Sequence, residues 1–473
     1  MDSIKDNVKI NRSDPIFHVL CHAVGVSCDK DKDFKRVLLA LKPKDSNAVD
    51  RKLVLIQLLK DEFKDKKNLV TDAQPVNDKF SALENLKVDL PSQYREPVIF
   101  LLTTSPENIS TDAVSFEELQ SEELPMKPGK YLVPVFYRNL TLEQALKIYL
   151  PDCIQPISGF TIMSHLAHFN LKPQALLYKQ LIGEIVLDKV PNVRTVIHKA
   201  ANIDSTYRTF KLDLMAGEEE YVTSVKENGC IFKFDFSKVY WNSRLGTEHT
   251  RVVEFISKET VSSKTYVFDI FAGIGPFSIP LARLNKVTKV WANDLNPHSY
   301  EWLEHNKALN SSKKKPLNTL HTFNKDGREF VKEVVLPQLL QILSQSEKKQ
   351  NVKAFVLMNL PALAPDFLDA FRKENLGISL IEASNLDLEF SLNFFCYCFH
   401  KTNSAPQEEM LDRVLEALNL SKSESELVVK SWNPRFVRNV APYKDMYCLQ
   451  FQLDLRALEV VSEVPPKKQP KLQ

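Results

Sequence analysis

The stretch that decides the fold is Val267-Phe-Asp-Ile-Phe-Ala-Gly-Ile-Gly-Pro-Phe-Ser-Ile-Pro280. An apolar run predicts a short buried strand that stops at Asp269, and Gly273 and Gly275 follow it. Apolar residues at helical spacing come next. Because glycine lacks a Cβ atom, the backbone of such a turn can approach a ligand closely, and the helix N-terminus can face that ligand. The stretch therefore predicts a strand, a tight glycine turn and a helix that bind a small molecule.

A carboxylate ends the next predicted strand. The apolar run from Val287 to Ala292 leads to Asp294, about 20 residues beyond the glycines, where nucleotide-binding folds hold ribose hydroxyls. The glycines follow the pattern G-x-G and not G-x-G-x-x-G, which favours an adenosine ligand smaller than a dinucleotide. S-adenosylmethionine is the usual ligand of that kind. The alternative is a strand, turn and helix with no ligand.

Two later strand ends are also polar. The strand predicted over 319–323 is followed by Asp326 and Gly327, and the strand predicted over 354–358 by Asn359. Ligand-binding groups collect at the carboxyl ends of parallel strands. Asp326 could accept a hydrogen bond from the exocyclic amine of adenine, and Asn359 could hold the edge of a base. Each residue alone could instead be a helix cap or a turn former.

Length and composition set the class of protein. The chain has 473 residues, 44% hydrophobic and 26% charged, which is typical of a soluble globular protein with two to three domains. Because the net charge is only +2, any RNA binding would come from local basic patches. The seven cysteines form no C-x-x-C pair, which argues against a zinc site and favours reduced thiols in an intracellular compartment. No apolar stretch approaches the roughly 20 residues of a membrane span, and the N-terminus resembles neither a secretory signal nor a mitochondrial presequence.

Helical and strand-like patterns alternate from about Val252, which predicts an α/β domain with a mainly parallel sheet. Before it, β-like runs within 207–236, two of them joined by Asn228-Gly229, predict antiparallel strands. The spacing within 162–169 predicts a helix. Residues 103–129 are rich in Ser, Glu and Pro, as exposed connectors are. We predict an N-terminal module with its linker at 15–128, a middle module at 129–251, the parallel-sheet domain at 252–461 and a disordered tail at 462–473.

Longer motifs extend the pattern. They are D-I-F-A-G-I-G-P-F-S-I-P (269–280), N-D-L-N-P (293–297), M-N-L-P-A (358–362), V-R-N-V-A-P-Y-K-D-M (437–446), I-G-E-I-V-L-D-K (182–189), Y-R-T-F (207–210) and F-D-F-S-K-V-Y-W-N-S-R-L-G-T-E-H (234–249). Together they resemble the eukaryotic and archaeal tRNA (guanine(37)-N(1))-methyltransferase family, with good coverage from about 160 to 455.

The resemblance implies a Rossmann-like class I methyltransferase domain preceded by two smaller α+β RNA-binding modules. It implies that the N-terminal module contacts the outer corner of tRNA and that the other two hold the anticodon stem-loop. The reaction would be methyl transfer from S-adenosylmethionine to nitrogen 1 of the guanosine that follows the anticodon. A monomer in the cytoplasm is expected, with the nucleus and the mitochondrial matrix as further compartments.

The implied reaction makes demands on side chains. Nitrogen 1 of guanine carries a proton that a base must remove, and negative charge then develops on the neighbouring carbonyl oxygen. The resemblance matches the base to Glu248 and the stabilising cation to Arg208. It places Tyr240 in the lining of the substrate pocket and lets Asn359 orient the base or the methyl donor. Alternatively, Glu248 and Arg251 form an exposed ion pair of little energetic value, and Arg208 faces solvent.

The resemblance also places cofactor contacts at His249, Asp294, Leu295, Asp326 and Gly327, in addition to the strand end and turn at Asp269, Gly273 and Gly275. His249 could instead be a surface histidine. RNA contact is expected where cations and aromatics interleave. The best such segment is 432–444, with Arg435, Arg438 and Lys444. The lysines of 313–315 and 348–349 are expected on solvated loops.

At two positions the sequence differs from the residues that are usual in the family, and two other functions compete with methyl transfer. Ser243 stands where relatives commonly have proline, and Gly246 where they have Ser or Ala, so the loop before Glu248 is expected to be looser. The competing functions are transfer of the aminocarboxypropyl group of the same cofactor to a tRNA guanosine derivative, and tRNA binding by a catalytically dead fold. Asn359 before Leu360-Pro361 favours methyl transfer over the first of these, and the presence of Glu248, Arg208 and Asn359 argues against the second.

Overall fold

The structure is a computed structural model. It describes residues 10, 15–27, 54–57, 98–103, 126–137, 140–151, 154, 157, 159–203, 210–284, 286–384, 388–401 and 406–457. The chain divides into two compact units, Met1–Ser158 with Lys172–Pro191, and Gly159–Leu171 with Asn192–Gln473. The three-part division and the tail predicted from the sequence stay predictions. Within the described residues, no helix is both long enough and apolar enough to cross a membrane.

The first unit contains a four-stranded antiparallel sheet. Its strands stand in the order β2-β3-β1-β4, with β1 Pro15–Ser27, β2 Val54–Gln57, β3 Val98–Thr103 and β4 Met126–Phe136. The strand β4 begins inside the predicted connector 103–129, of which residues 104–125 lie outside the described part.

Two helices follow in this unit, α1 Leu142–Tyr149 and α2 Lys179–Lys189, with a 3₁₀ helix over Pro173–Tyr178 before α2. Thr141 caps α1. Its hydroxyl accepts from the Gln144 N–H at 3.3 Å, and the Gln144 side chain accepts from the Thr141 N–H at 3.0 Å. This reciprocal pair satisfies two N–H groups that the helix leaves unpaired, as the sequence predicts.

The second unit opens with two small sheets. One has the order β5-β6-β7-β8, with β5 Thr161–Met163, β6 Leu166–Phe169, β7 Thr195–Ile203 and β8 Phe210–Gly217. The other is the predicted hairpin β9 Val222–Glu227 and β10 Cys230–Asp235. Its turn residues Asn228 and Gly229 have φ of 49° and 70°, the left-handed values that a tight hairpin requires.

The predicted helix over 162–169 is wrong. Ser164 has a φ of 55°, so the chain turns back after Met163. Leu166–Phe169 then pairs in parallel with β7. Met163, Leu166 and Phe169 are all buried. A short apolar run of this kind fits a buried strand as well as a helix face, and here the neighbouring strand decides.

A seven-stranded sheet forms the body of the second unit, in the order β13-β12-β11-β14-β15-β17-β16. The strands are β11 Lys264–Asp269, β12 Lys289–Asn293, β13 Leu320–Phe323, β14 Asn351–Met358, β15 Glu389–Lys401, β16 Val429–Ala441 and β17 Lys444–Leu453. The first five in this order are parallel, and β17 is antiparallel to both of its neighbours. The predicted mainly parallel α/β sheet is confirmed.

Helices connect these strands. They are α3 Gly246–Glu259, α4 Ser278–Arg283, α5 Pro297–Asn310, α6 Gly327–Phe330, α7 Leu336–Gln345, α8 Lys373–Leu376, α9 Ile378–Ser384, α10 Pro406–Leu418 and α11 Lys422–Val428. Short 3₁₀ helices cover Ser243–Leu245 and Ala364–Phe371, and a π-helical segment, Val331–Val335, joins α6 to α7. The helix α3 starts at Gly246, earlier than the helical pattern that begins at about Val252, and this places Glu248 in its first turn.

The sheet is buried on both faces. Successive residues of a strand point to opposite faces, and Val267 and Phe268 enter two different apolar clusters. In the same way, Phe355 belongs to one cluster and Val356 to the other. A parallel sheet covered on both faces needs continuous apolar strands of this kind.

The strand order places a crevice at the carboxyl edge of the sheet. Strand β11 lies between β12 and β14, so the connections leave it in opposite directions, and ligands of open α/β sheets bind at such a switch point. Backbone hydrogen bonds hold the strand ends side by side: Ile270 N–H to Leu357 C=O at 2.9 Å, Ala272 N–H to Asn293 C=O at 2.8 Å, and Asp294 N–H to Phe323 C=O at 3.2 Å.

Candidate active site

The two glycines of the turn differ in their surroundings. Gly273 and Gly275 have φ of 55° and 97°. A Cβ atom at Gly275 would lie 2.7 Å from Ile279 Cδ1 and 2.8 Å from Leu303 Cδ1, so this glycine permits close helix packing. A Cβ atom at Gly273 would meet nothing within 4 Å. Of the two, Gly273 therefore borders open space that a ligand could fill.

Asp294 is fastened to this turn. Its Oδ2 accepts from the Gly273 N–H at 2.8 Å, and its Oδ1 from the Asn296 N–H at 3.0 Å. Asn324 donates to the backbone carbonyls of Asp294 at 2.7 Å and Leu295 at 3.0 Å. The Leu295 side chain is exposed. The structure thus brings together the predicted turn and the predicted acid.

Two asparagines that sequence reasoning missed fix the same loops. Buried Asn293 donates to Ile270 C=O at 3.2 Å and Lys325 C=O at 3.0 Å, and it accepts from the Lys325 N–H at 2.9 Å. Asn296 caps α5 by accepting from the His298 N–H at 3.0 Å. The sequence did contain a signal for both: Asn293 ends an apolar strand, and Asn296 stands directly before a proline, where helix caps are common.

The third strand end combines a cap with aromatic packing. Asp326 Oδ1 accepts from the Arg328 N–H at 2.8 Å. One of its two carboxylate oxygens therefore caps the helix α6, as the alternative prediction stated. A Cβ atom at Gly327 would lie 2.9 Å from Phe367 and 3.0 Å from Phe271. Glycine at this position lets the two rings meet edge to face, with centroids 5.0 Å apart.

Asp269 carries a buried oxygen without a partner among the described residues. The Ser278 hydroxyl donates to its Oδ2, and no described residue donates to its Oδ1. Complete burial raises the pKa of Asp269 to about 7, Asp294 adds to the rise, and the Ser278 hydrogen bond opposes it. A buried acceptor close to Asp294 and the glycine turn suits a ligand that brings a hydrogen-bond donor or a positive charge. S-adenosylmethionine has both, so the chemistry of this site fits that cofactor.

Glu248 lies in a buried polar cluster. Its side chain is 7% exposed. Arg251 donates to both carboxylate oxygens, from Nε to Oε2 at 2.7 Å and from Nη2 to Oε1 at 2.6 Å. The Tyr397 hydroxyl donates to Oε1 at 2.8 Å. The alternative of an exposed Glu248–Arg251 pair is therefore wrong, because the pair is taken out of solvent by the sheet beneath it.

The neighbours of Glu248 reach Phe277, which follows the glycine turn. His249 packs edge-on against Phe277, with ring centroids 4.8 Å apart, and the ring of Tyr397 lies 6.4 Å from Phe277. Phe277 is two residues beyond Gly275. The His249 ring is buried and its Nδ1 lies 2.6 Å from Glu227 Oε1, so a surface histidine is excluded.

The loop before Glu248 is anchored despite its two departures. Asn242 caps the turn at Ser243 by accepting from the Arg244 N–H at 3.2 Å. A Cβ atom at Gly246 would come 3.2 Å from Glu227 Oε2, the carboxylate that also binds His249. Gly246 therefore lets the hairpin turn and α3 approach each other closely.

The remaining predicted site residues have different outcomes. Asn359 follows β14, is half-buried, and forms no hydrogen bond within the described part of the chain. Tyr240 is half-buried and lies close enough to Arg438 to affect its pKa. Arg208 lies outside the described residues, in the gap between β7 and β8.

The predicted RNA-binding residues lie on the β16–β17 hairpin. Arg435 and Lys444 are exposed, and Lys444 Nζ lies 4.2 Å from the centroid of the Phe399 ring. Exposed Phe436 packs edge-on against Tyr447, with centroids 5.7 Å apart. Burial and the nearby Arg244 lower the pKa of Arg438, and its buried Nη1 has no hydrogen-bond partner among the described residues. Cations and aromatic rings therefore share this edge of the sheet.

Metal and thiol chemistry find no support in the described residues. No group of three His, Cys, Asp or Glu side chains there could hold a metal ion. Cys230, Cys396, Cys398 and Cys448 are free and buried. Burial raises the pKa of Cys398 and Cys448 to about 12, so these thiols stay protonated.

The sheet order, the glycine turn at its switch point and the acid on the neighbouring strand define a Rossmann-like methyltransferase fold. The family model described as TRM5/TYW2 methyltransferase domain matches residues 223–375, and the one described as TYW2 N-terminal domain matches residues 142–220. A Drosophila melanogaster protein named tRNA (guanine(37)-N(1))-methyltransferase is 40% identical over 356 residues, 75% of this chain and 73% of its own length. The chain belongs to the tRNA (guanine(37)-N(1))-methyltransferase family.

A second relative and a solved structure are also similar to this chain. A Xenopus tropicalis protein of the same name is 39% identical over 325 residues, 69% of this chain, which spans 61% of that relative's length. A solved structure described as the complex of aTrm5 and tRNALeu covers 92% of this chain and 100% of its own, with a TM-score of 0.53 and 18% identity. That structural likeness concerns the fold, and it confirms the predicted fold class.

Proposed function

We propose that this chain transfers a methyl group from S-adenosylmethionine to nitrogen 1 of the guanosine at position 37 of tRNA. Family membership supports the reaction class. The single observation that carries the mechanism is the buried Glu248 carboxylate, which accepts a hydrogen bond from Tyr397, whose ring lies 6.4 Å from Phe277 just beyond the glycine turn.

The carboxyl edge of the sheet holds the cofactor in this proposal. The Asp294 carboxylate, fastened to the turn, accepts from the ribose hydroxyls, and the open space beside Gly273 admits the ligand. The buried Asp269 Oδ1, to which no described residue donates, accepts a hydrogen bond from the ligand. Leu295, Asp326, Gly327 and His249 complete the contacts. When bound, S-adenosylmethionine supplies a methyl group on a positively charged sulfur.

The residues around the guanine move a proton and balance a charge. Glu248 accepts the proton of nitrogen 1, and Arg208 stabilises the negative charge that develops on the carbonyl oxygen. Tyr240 lines the pocket. Because the Asn359 amide makes no hydrogen bond to the described residues, it can orient the base or the methyl donor.

The tRNA is held by the hairpin and by the N-terminal part of the chain. Arg435, Arg438 and Lys444 provide phosphate contacts beside exposed rings on which unpaired bases can stack. The N-terminal module contacts the outer corner of the tRNA, and the other modules hold the anticodon stem-loop. The protein works as a monomer in the cytoplasm, with the nucleus and the mitochondrial matrix as further compartments.

Two isotopic forms of the cofactor test this proposal. tRNA is incubated with the protein and with S-adenosylmethionine labelled either in the methyl group or in the carboxyl carbon, and both its nucleosides and its base-specific nuclease fragments are analysed by mass spectrometry. The expected result is methyl label in 1-methylguanosine at position 37 alone. Carboxyl label in the tRNA would instead establish aminocarboxypropyl transfer. No label from either form, with tRNA still bound, would mean a catalytically dead fold.

A further inference from the structure

The Glu248 carboxylate has few lone pairs left for a substrate. A carboxylate accepts about four hydrogen bonds, two at each oxygen. Oε1 accepts from Arg251 Nη2 and from the Tyr397 hydroxyl, which fills both of its positions. Among the described residues, Oε2 accepts from Arg251 Nε alone. One position on Oε2 therefore remains for a proton from outside the cluster.

Tyr397 is a hydroxyl donor to the carboxylate. Its side chain is fully buried on β15. Burial, followed by the neighbouring Cys448 and Glu248, raises the pKa of Tyr397 well above its ordinary value. Its hydroxyl donates to Glu248 Oε1 at 2.8 Å.

The side chain of Arg251 is held by Gln450 on strand β17. With the Gln450 amide turned so that its oxygen faces the guanidinium group, that oxygen accepts from Arg251 Nη1 at 2.6 Å and from Nη2 at 2.9 Å. Arg251 Nη2 also lies 3.7 Å from Cys448 Sγ. Although burial favours the neutral form, the hydrogen bonds to Glu248 raise the pKa of Arg251 above its ordinary value. A permanent cation and a permanent hydroxyl donor therefore clamp one carboxylate.

We propose that Tyr397 and Arg251 are positioning residues for the base: they occupy Oε1 and leave Oε2 as the oxygen that takes the guanine proton. This inference rests on the proposed function.

The variant Tyr397→Phe tests the clamp, because it removes one hydroxyl and keeps the ring. The rate of 1-methylguanosine formation is measured in single turnovers at saturating cofactor across pH 5.5–9. The Tyr397 hydroxyl donates to the ionised carboxylate, so its loss should lower the rate most on the acidic side of the profile. Near pH 6 the rate should drop several-fold more than near pH 8, while cofactor affinity stays unchanged.

A matched control removes a hydroxyl elsewhere in the same sheet. Tyr266 lies half-buried on β11, where its ring stacks on Trp291. Tyr266→Phe should leave the pH profile as in the wild type. Replacement of Tyr397 by 3-fluorotyrosine keeps the hydroxyl and makes it a stronger donor, so it should move the acidic fall in the opposite direction.

The possible results distinguish a failure of the positioning role of Tyr397 from a failure of the proposed methyl transfer. A Tyr397→Phe profile that keeps its shape, or drops equally at every pH, would show that the hydroxyl is only a packing element. The positioning role would then be overturned, while 1-methylguanosine made by the wild type would still support the proposed function. If the wild type makes no 1-methylguanosine, the proposed function itself is wrong.

Discussion

Asp269 shows how a single residue can couple pH to folding. The unfolded carboxyl group loses its proton near the ordinary pKa of 3.8, whereas burial keeps it protonated up to about pH 7 in the folded chain. Between these values the unfolded state binds fewer protons, so Asp269 lowers the free energy of unfolding as the pH rises. Its contribution to stability is largest below about pH 4 and is lost by about pH 7.

The variant Asp269→Asn should remove this pH dependence. Its neutral amide cannot ionise, so the contribution of position 269 becomes constant. Relative to the wild type, the variant should gain on the order of 1–3 kcal/mol in free energy of unfolding between pH 4 and pH 7. Urea unfolding at a series of pH values measures the difference. Parallel curves for the two proteins would contradict the role given to Asp269.

The two glycines of the turn can be separated by their effects. Gly275→Ala should destabilise the protein by about 1–3 kcal/mol, because its Cβ atom collides with Ile279 and Leu303 at a φ of 97°. Gly273→Ala should cost about 1 kcal/mol, because its φ of 55° is the left-handed region and the space around it is open.

The loss of cofactor affinity should be larger for Gly273→Ala than for Gly275→Ala, which is the opposite of their order in loss of stability. Gly273→Ala puts a methyl group into the space assigned to the cofactor, so we expect at least tenfold weaker S-adenosylmethionine binding by calorimetry. Folded Gly275→Ala should bind with less loss, since its Cβ atom points into the packed helices. Unchanged affinity in Gly273→Ala would place the cofactor elsewhere.

At the scale of elements, the β16–β17 hairpin carries the predicted RNA surface. Strand β16 is an edge strand with register shifts at three places along its pairing with β17. Such irregularity keeps an edge from pairing with other chains. It leaves Arg435 and Phe436 exposed, where a nucleic acid could reach them.

The variants Arg435→Ala and Lys444→Ala should weaken tRNA binding and reduce its salt dependence. Removing one cation that binds a phosphate should lower the slope of log affinity against log salt by about one. Filter binding at several salt concentrations measures this slope. Lys348→Ala is the control, because Lys348 is exposed on a loop remote in sequence from the hairpin. Equal slopes for Arg435→Ala and Lys348→Ala would count against the hairpin as an RNA surface.

Elements with a strong local signal could be predicted from the sequence, and elements fixed by a neighbour could not. Asn228-Gly229 and Thr141 carry their own turn and cap chemistry: the hairpin forms as predicted, and Thr141 caps α1. The segment 162–169 has no such signal, and its pairing with β7 overrides its helical spacing. The start of α3 at Gly246 was missed because apolar spacing begins only later in that helix.

In the whole molecule, the site residues also fall into those that a local sequence signal predicts and those that depend on distant parts of the chain. The turn at Gly273 and the acid at Asp294 could be predicted together, because parallel strands bring their carboxyl ends to one edge. The surroundings of Glu248 could not be predicted, because Tyr397 lies 149 residues further along the chain. That contact depends on the packing of α3 against β15, which no local pattern specifies.

The role of Glu248 as the base is tested most directly by the single-turnover rate of 1-methylguanosine formation by Glu248→Gln beside the wild type, with cofactor and tRNA saturating. Glutamine keeps the shape of the side chain but cannot take the proton of nitrogen 1. The expected rate is about 100- to 10,000-fold lower, with cofactor and tRNA affinities within about twofold of the wild type. An unchanged rate at saturation would contradict this role, because the buried carboxylate would then be a structural ion pair and the base would lie elsewhere.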